Sequence, residues 1–166
     1  MLQRALCWTL LFLALGCQKA RADDAYPLDE FSRMVEPTGR VKCPKIELVE
    51  HEGGAVRWAS TLHVNAHFSQ RLEAFEAVVA KVGKRVLGRA PSVITHLGSF
   101  NCRRIRAFPD YVSEHGLGNA VDVAGFVFPA LPKAQAKRSA LPKRFRRGAN
   151  ITILKNWNDK GPAGDF

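Results

Sequence analysis

The sequence predicts a domain in which several strands form a sheet and one long helix packs on it, and three stretches carry that reading. From Val56 to Phe68 apolar residues take every second position (Val56, Trp58, Leu62, Val64, Ala66 and Phe68, with Ser60 the exception), which is the period of a strand with one buried face. From Ser69 to Leu87 the period changes. Leu72, Phe75, Val79, Val82 and Val86 recur at three- and four-residue steps, as they do on an amphipathic helix. The third stretch, Ser113-Glu114-His115-Gly116-Leu117-Gly118-Asn119-Ala120-Val121-Asp122, is a glycine-punctuated loop that runs into the buried strand Val123–Phe128.

Length and charge set bounds. A chain of 166 residues with 46% apolar content is long enough for one domain with its own core. The formal net charge of +10 favours anionic partners: nucleic acid, membrane surfaces or acidic wall polymers. The N-terminus chooses among them. Arg4 precedes an apolar run from Ala5 to Leu15, the length of a signal-peptide core and short of the ~20 residues that a membrane span needs. Ala20-Arg21-Ala22 is a small-x-small cleavage signal, so residues 1–22 are expected to be a signal peptide and the mature chain exported to the periplasm or beyond. Leu13-Ala14-Leu15-Gly16-Cys17 offers a second ending, a lipoprotein box with a lipid anchor on Cys17. Export argues against nucleic acid as the partner, and no transmembrane span is expected. The mature chain stays basic after the loss of Arg4, Lys19 and Arg21.

In order along the chain, residues 23–42 are polar, carry Pro27, Pro37 and Gly39, and read as a linker to a domain spanning 43–166. With Cys7 and Cys17 in the leader, Cys43 and Cys102 remain as a pair. In an oxidising compartment they form either a disulfide or two buried thiols, and the disulfide is the expectation. Lys45 to Glu50 reads as a short strand and Gly53-Gly54 as a turn. His63 and His67 lie on one strand in this reading, roughly 13 Å apart, too far to share an ion. Ser69 is the expected N-cap of the helix and Gly88 its stop. Lys81, Lys84 and Arg85 read as its solvated face. A strand over Ser92–Leu97 ends at Gly98-Ser99-Phe100-Asn101-Cys102-Arg103. A bridged Cys102 would hold Arg103 on a rigid support, which suits recognition of a carboxylate by a planar guanidinium; the alternative is a surface arginine in a basic protein.

His115 and Asp122 are two group types that a catalytic zinc accepts, and the intervening glycines let the loop curl so that both reach one point. Here Ser113, His115, Gly118, Ala120 and Asp122 resemble the SxHxxGxAxD signature of the LAS zinc peptidases, the group that holds lysostaphin-type enzymes, D-alanyl-D-alanine peptidases and the hedgehog fold. Gly98–Arg103 followed by Ser113–Phe126 is more closely similar to the bacterial extensin-like C-terminal family. That resemblance implies an α+β domain of hedgehog/DD-peptidase type with a small central antiparallel sheet and a flanking helix. It also implies one Zn²⁺ and hydrolysis of peptide bonds in peptidoglycan. By position, His115 and Asp122 would be zinc ligands, Arg103 would hold a substrate carboxylate, and Ser113 would orient a ligand by hydrogen bonding.

Two features depart from the family pattern. Between Phe128 and Asn150, where a short hairpin is usual, Lys133, Lys137, Arg138, Lys143, Arg144, Arg146 and Arg147 occur with no acid from Lys133 to Arg147. This reads as a solvated loop or, in its functional version, as contact with anionic wall polymer or lipid headgroups. Ile151 to Trp157 reads as the next strand. The group's third zinc ligand is a histidine near the domain's end, in an HxH or ExxWH arrangement that also supplies the general base, whereas no histidine follows His115 here, so both are expected beyond Phe166 and the domain reads as truncated. A zinc peptidase of the wall and a non-catalytic wall-binding module using Arg103 and the basic loop are therefore both open.

Overall fold

In the computed structural model, which describes residues 31–166, the alternating run that begins at Val56 makes two strands rather than one. The elements are β1 (Val49–His51), β2 (Arg57–Trp58), β3 (Leu62–Val64), α1 (Ala66–Leu87), β4 (Val93–His96), β5 (Arg104–Ile105), β6 (Phe108–Val112), β7 (Val123–Phe128), α2 (Lys133–Arg138), α3 (Lys143–Arg146), β8 (Ala149–Thr152) and α4 (Ile153–Asn156). The signal peptide and cleavage signal expected within residues 1–22, with Cys7 and Cys17, lie outside the described residues.

The strand stops at Asn65 because its carboxamide does two things. Oδ1 accepts from Phe68 N at 2.9 Å and caps α1, while Nδ2 donates to Leu117 O at 3.2 Å. Helix α1 thus begins at Ala66, and the cap expected at Ser69 falls one turn too late. His67 belongs to the helix, so the strand spacing expected between His63 and His67 does not apply. Gly88 ends α1 in the left-handed conformation, as the sequence predicts.

The fold is α+β. Its main sheet has the order β2-β4-β7-β8; β4, β7 and β8 are antiparallel neighbours, but β2 joins β4 in parallel, so the sheet is mixed rather than antiparallel throughout. Two ribbons, β1-β3 and β5-β6, flank it. Leu72, Val79 and Ala80 of α1 pack on Val56, Trp58, Leu62, Val64 and Ile94. Full burial of each large side chain there stabilises the fold by about 1.5–3 kcal/mol. A second cluster joins Leu87, Phe128, Phe145, Ile151 and Ala163, and Phe166 lays its ring edge-on against Phe126 and Phe128. Among the described residues no helix is long and apolar enough to cross a membrane.

Three segments differ from their expected form. The part of the 23–42 segment that is described is laid onto the domain: Phe31, Val35 and Val41 pack on Val112 and Leu117, and Arg104 donates to the carbonyls of Glu36, Thr38 and Gly39. The basic stretch forms two short helices, each starting directly after a proline, Pro132 and Pro142. The strand expected over Ile151–Trp157 ends at Thr152, where Asn156 Oδ1 accepts from Thr152 N at 2.9 Å and the chain turns into α4.

Candidate metal centre

The glycine loop is held by its backbone before any side chain is considered. Ser113 N donates to Arg103 O at 2.9 Å, Asn101 N to His115 O at 3.0 Å, and Asp122 N to Gly98 O at 3.0 Å, so the Gly98–Arg103 segment is laced along Ser113–Asp122. Cys43 and Cys102 form the expected disulfide, with Cα atoms 5.8 Å apart. Its sulfur presses on the loop: a Cβ at Gly116 would stand 2.8 Å from Cys43 Sγ, which only glycine avoids. Gly118 ends the short 3-10 turn Glu114–Leu117 at φ +60°, the left-handed region.

This frame places His115 on the turn and Asp122 at the mouth of β7, with Nε2 3.3 Å from Asp122 Oδ1. His115 is 8% exposed, whereas the Asp122 side chain is 55% exposed, so the pair opens to solvent on the carboxylate side. His115 Nδ1 lies 2.5 Å from Ser99 O. A carbonyl only accepts, so Nδ1 carries a proton, and in the neutral form of the ring the lone pair of Nε2 turns toward a carboxylate. Two acceptors face each other unless a proton or a cation lies between them. The separation is longer than the 2.7–2.9 Å usual for a charged N–H···O bond. It matches the edge of a tetrahedron with zinc bonds of about 2.0–2.1 Å, which is about 3.3–3.4 Å. The backbone carbonyl on the far nitrogen is the outer support that metal-bound imidazoles usually have. The donors therefore fit two corners of a zinc site. Among the described residues no third His, Cys, Asp or Glu joins them in a metal-holding group.

Two of the other histidines are employed elsewhere. His96 Nε2 pairs with Ser60 Oγ at 2.9 Å and its ring sits edge-on to Trp58. His51 bridges Ser69 Oγ (2.9 Å from Nδ1) and Glu76 Oε1 (2.7 Å from Nε2). Glu76 is fully buried and also accepts from Trp58 Nε1 and Gly54 N, each at 2.7 Å. Burial pushes its carboxyl up, but the bonds from Gly54, His51 and Trp58 and the charge of His51 outweigh it and hold the pKa below the ordinary value.

Arg103 is exposed, and its carbonyl bond to Ser113 N sets its backbone two residues from His115. Neighbouring Arg104 is committed to the carbonyls of residues 36–39, so the two adjacent arginines divide into one clasp and one exposed guanidinium. Ser113 is buried and does not cap the turn with its side chain; the oxygen on the imidazole is Ser99 O. Glu114 is not an available base, because Arg33 Nε donates to Oε1 at 2.7 Å and Asn119 Nδ2 to Oε2 at 2.5 Å. Burial raises its pKa, and these two bonds with the Arg33 charge outweigh that and lower it.

Sequence reasoning missed Ser99, Glu76 and Asn65. A backbone carbonyl has no residue signature, so Ser99 gave no signal. Glu76 did, as an acid within the buried stripe of α1. A groove of about 620 Å³ lies between α1 and the β7–β8 side and includes neither His115 nor Asp122.

A model of the family described as Extensin-like protein C-terminus matches residues 17–147. No curated protein and no solved structure matches the chain.

Proposed function

The chain belongs to the extensin-like protein C-terminal family, and from that premise we propose that it is an exported zinc peptidase-like domain acting on peptide bonds of bacterial peptidoglycan. The observation that carries this reading is the facing pair of His115 Nε2 and Asp122 Oδ1 at 3.3 Å, with the far imidazole nitrogen on Ser99 O. His115 and Asp122 are the residues that would hold the metal. A zinc bound there supplies Lewis acidity and a water of lowered pKa. The chain's own groups do the rest. Ser99 O fixes the imidazole tautomer, and the bridge between Cys43 and Cys102 stiffens the segment that ends in Arg103. Arg103 takes the substrate carboxylate through its planar fork, and the exposed side of Asp122 is the approach.

A second reading has its own support, since no third metal-holding side chain joins the pair among the described residues. It is a non-catalytic module that binds wall material through Arg103 and the basic segment. Metal analysis of purified protein separates the two. Near one zinc per chain, lost in both His115→Ala and Asp122→Ala, favours the peptidase lineage. A zinc-free wild type that sediments with sacculi, and does so less after Arg103→Ala, favours the binder.

A further inference from the structure

The basic segment is not a solvated loop. Leu131 and Phe145 are buried at 6% and 4% exposure, and Arg89 ties the segment down at both ends, with Nε donating to Pro129 O and Nη2 to Phe145 O at 2.5 Å. The two helices are cross-linked as well: Leu131 N donates to Arg146 O at 2.9 Å, and Arg146 Nη1 to Ala136 O at 3.1 Å. Between them runs a groove of about 420 Å³ with Lys133, Lys137, Lys143, Arg146 and Arg147 on its walls and Leu131 and Ala136 among its lining. None of these five cations has an ion pair among the described residues; the one basic residue of the segment that does, Arg144, lies 4.0 Å from Asp159 and does not line this groove. Arg146 Nε is buried in the wall without a hydrogen-bond partner.

Like charges on a solvated surface spread apart. Here backbone bonds and two buried apolar anchors hold five of them around one concavity at a cost in self-repulsion. We propose that the α2–α3 groove is a binding site for phosphate groups of a polyanion, separate from the His115–Asp122 pair. Cations of both kinds suit that chemistry, lysines as point charges and arginines as forks on phosphate oxygens. Separation follows from topology. Asp122 precedes β7 and the groove follows it, and a strand of six residues sets its two ends about 17 Å apart. The groove thus works as an anchor, holding a phosphate-bearing chain or surface while the other end of the sheet stays open. The inference deepens the wall-binding reading and does not depend on zinc.

The test uses the mature exported protein and two probes, short-chain inorganic polyphosphate and phosphatidylglycerol vesicles. One variant carries Lys133→Gln, Lys137→Gln, Lys143→Gln and Arg147→Gln. A control loses the same charge elsewhere, through Lys45→Gln, Lys81→Gln, Lys84→Gln and Arg85→Gln. The groove variant is expected to weaken binding about tenfold or more and to flatten its salt dependence, with the control within about twofold of wild type. The probe that responds in this way identifies the source of the phosphate. Equal losses in the two variants, or saturable binding to neither probe, would overturn the proposal. Sacculus binding that survives in the groove variant while polyphosphate binding never depended on it would leave the wall-binding reading to Arg103 and remove the groove from it.

Discussion

Glu76→Gln is the substitution whose effect can be worked most fully from the structure. The wild-type carboxylate receives three donors, with His51 Nε2 and Trp58 Nε1 on Oε1 and Gly54 N on Oε2. Glutamine keeps the shape but offers one acceptor oxygen. With that oxygen toward His51 and Trp58, the amide NH2 faces the Gly54 N–H, so a charge-assisted bond is replaced by two opposed donors in a buried site. The expected loss is about 2–3 kcal/mol at pH 7. That corresponds to a fall of roughly 5–10 °C in melting temperature for a domain of this size. The effect also carries a pH signature. Because the folded-state pKa of Glu76 lies below its unfolded value, its stabilisation is fully present above the unfolded pKa, near 4.5, and is lost as the pH falls through the folded pKa. Urea unfolding of both proteins between pH 7 and pH 3 should therefore show the gap constant down to about pH 5 and closing below it. A gap under about 0.5 kcal/mol at pH 7, or one that widens as the solution is acidified, would refute the network as described.

Replacing both Cys43 and Cys102 by serine opens a loop with a sequence separation of 59 and should cost about 4 kcal/mol in chemical unfolding of the oxidised protein. Gly118→Ala puts a side chain at φ +60°, with its Cβ 2.6 Å from Leu48 Cδ2 and 2.9 Å from Asn65 N. A loss of about 2 kcal/mol or more should appear as a lower melting temperature. Arg104→Ala should speed limited proteolysis around Glu36–Gly39, while the global unfolding free energy from urea titration falls by less than about 1 kcal/mol, because only the clasp on that segment is removed.

What could be read from sequence divides along physical lines. Helix α1 was legible because its apolar period is long and Gly88 marks its end. Its start was not, since alternation carries on through Ala66 and Phe68 while a single carboxamide at Asn65 decides where the helix begins. Ser69, a plausible cap by type, spends its hydroxyl on His51. The Cys43–Cys102 bridge was legible by counting, because these two cysteines remain once Cys7 and Cys17 are set aside in the expected leader. The parallel pairing of β2 with β4 left no local trace, because both directions bury the same alternate residues. His115 and Asp122 were found through their spacing and its resemblance to a family, and the structure brings them together. The helices of the basic segment were hidden because their order comes from Leu131, Phe145 and the distant Arg89, not from propensity within the run.

Imidazole ¹⁵N NMR of His115, recorded with and without Zn²⁺, tests the proposal that this histidine and Asp122 hold one cation. The account predicts a proton on Nδ1 without metal, bonded to Ser99 O, and a shift of the Nε2 resonance on zinc addition that Asp122→Ala abolishes. A neutral ring protonated on Nε2, or an Nε2 resonance indifferent to zinc, would contradict it.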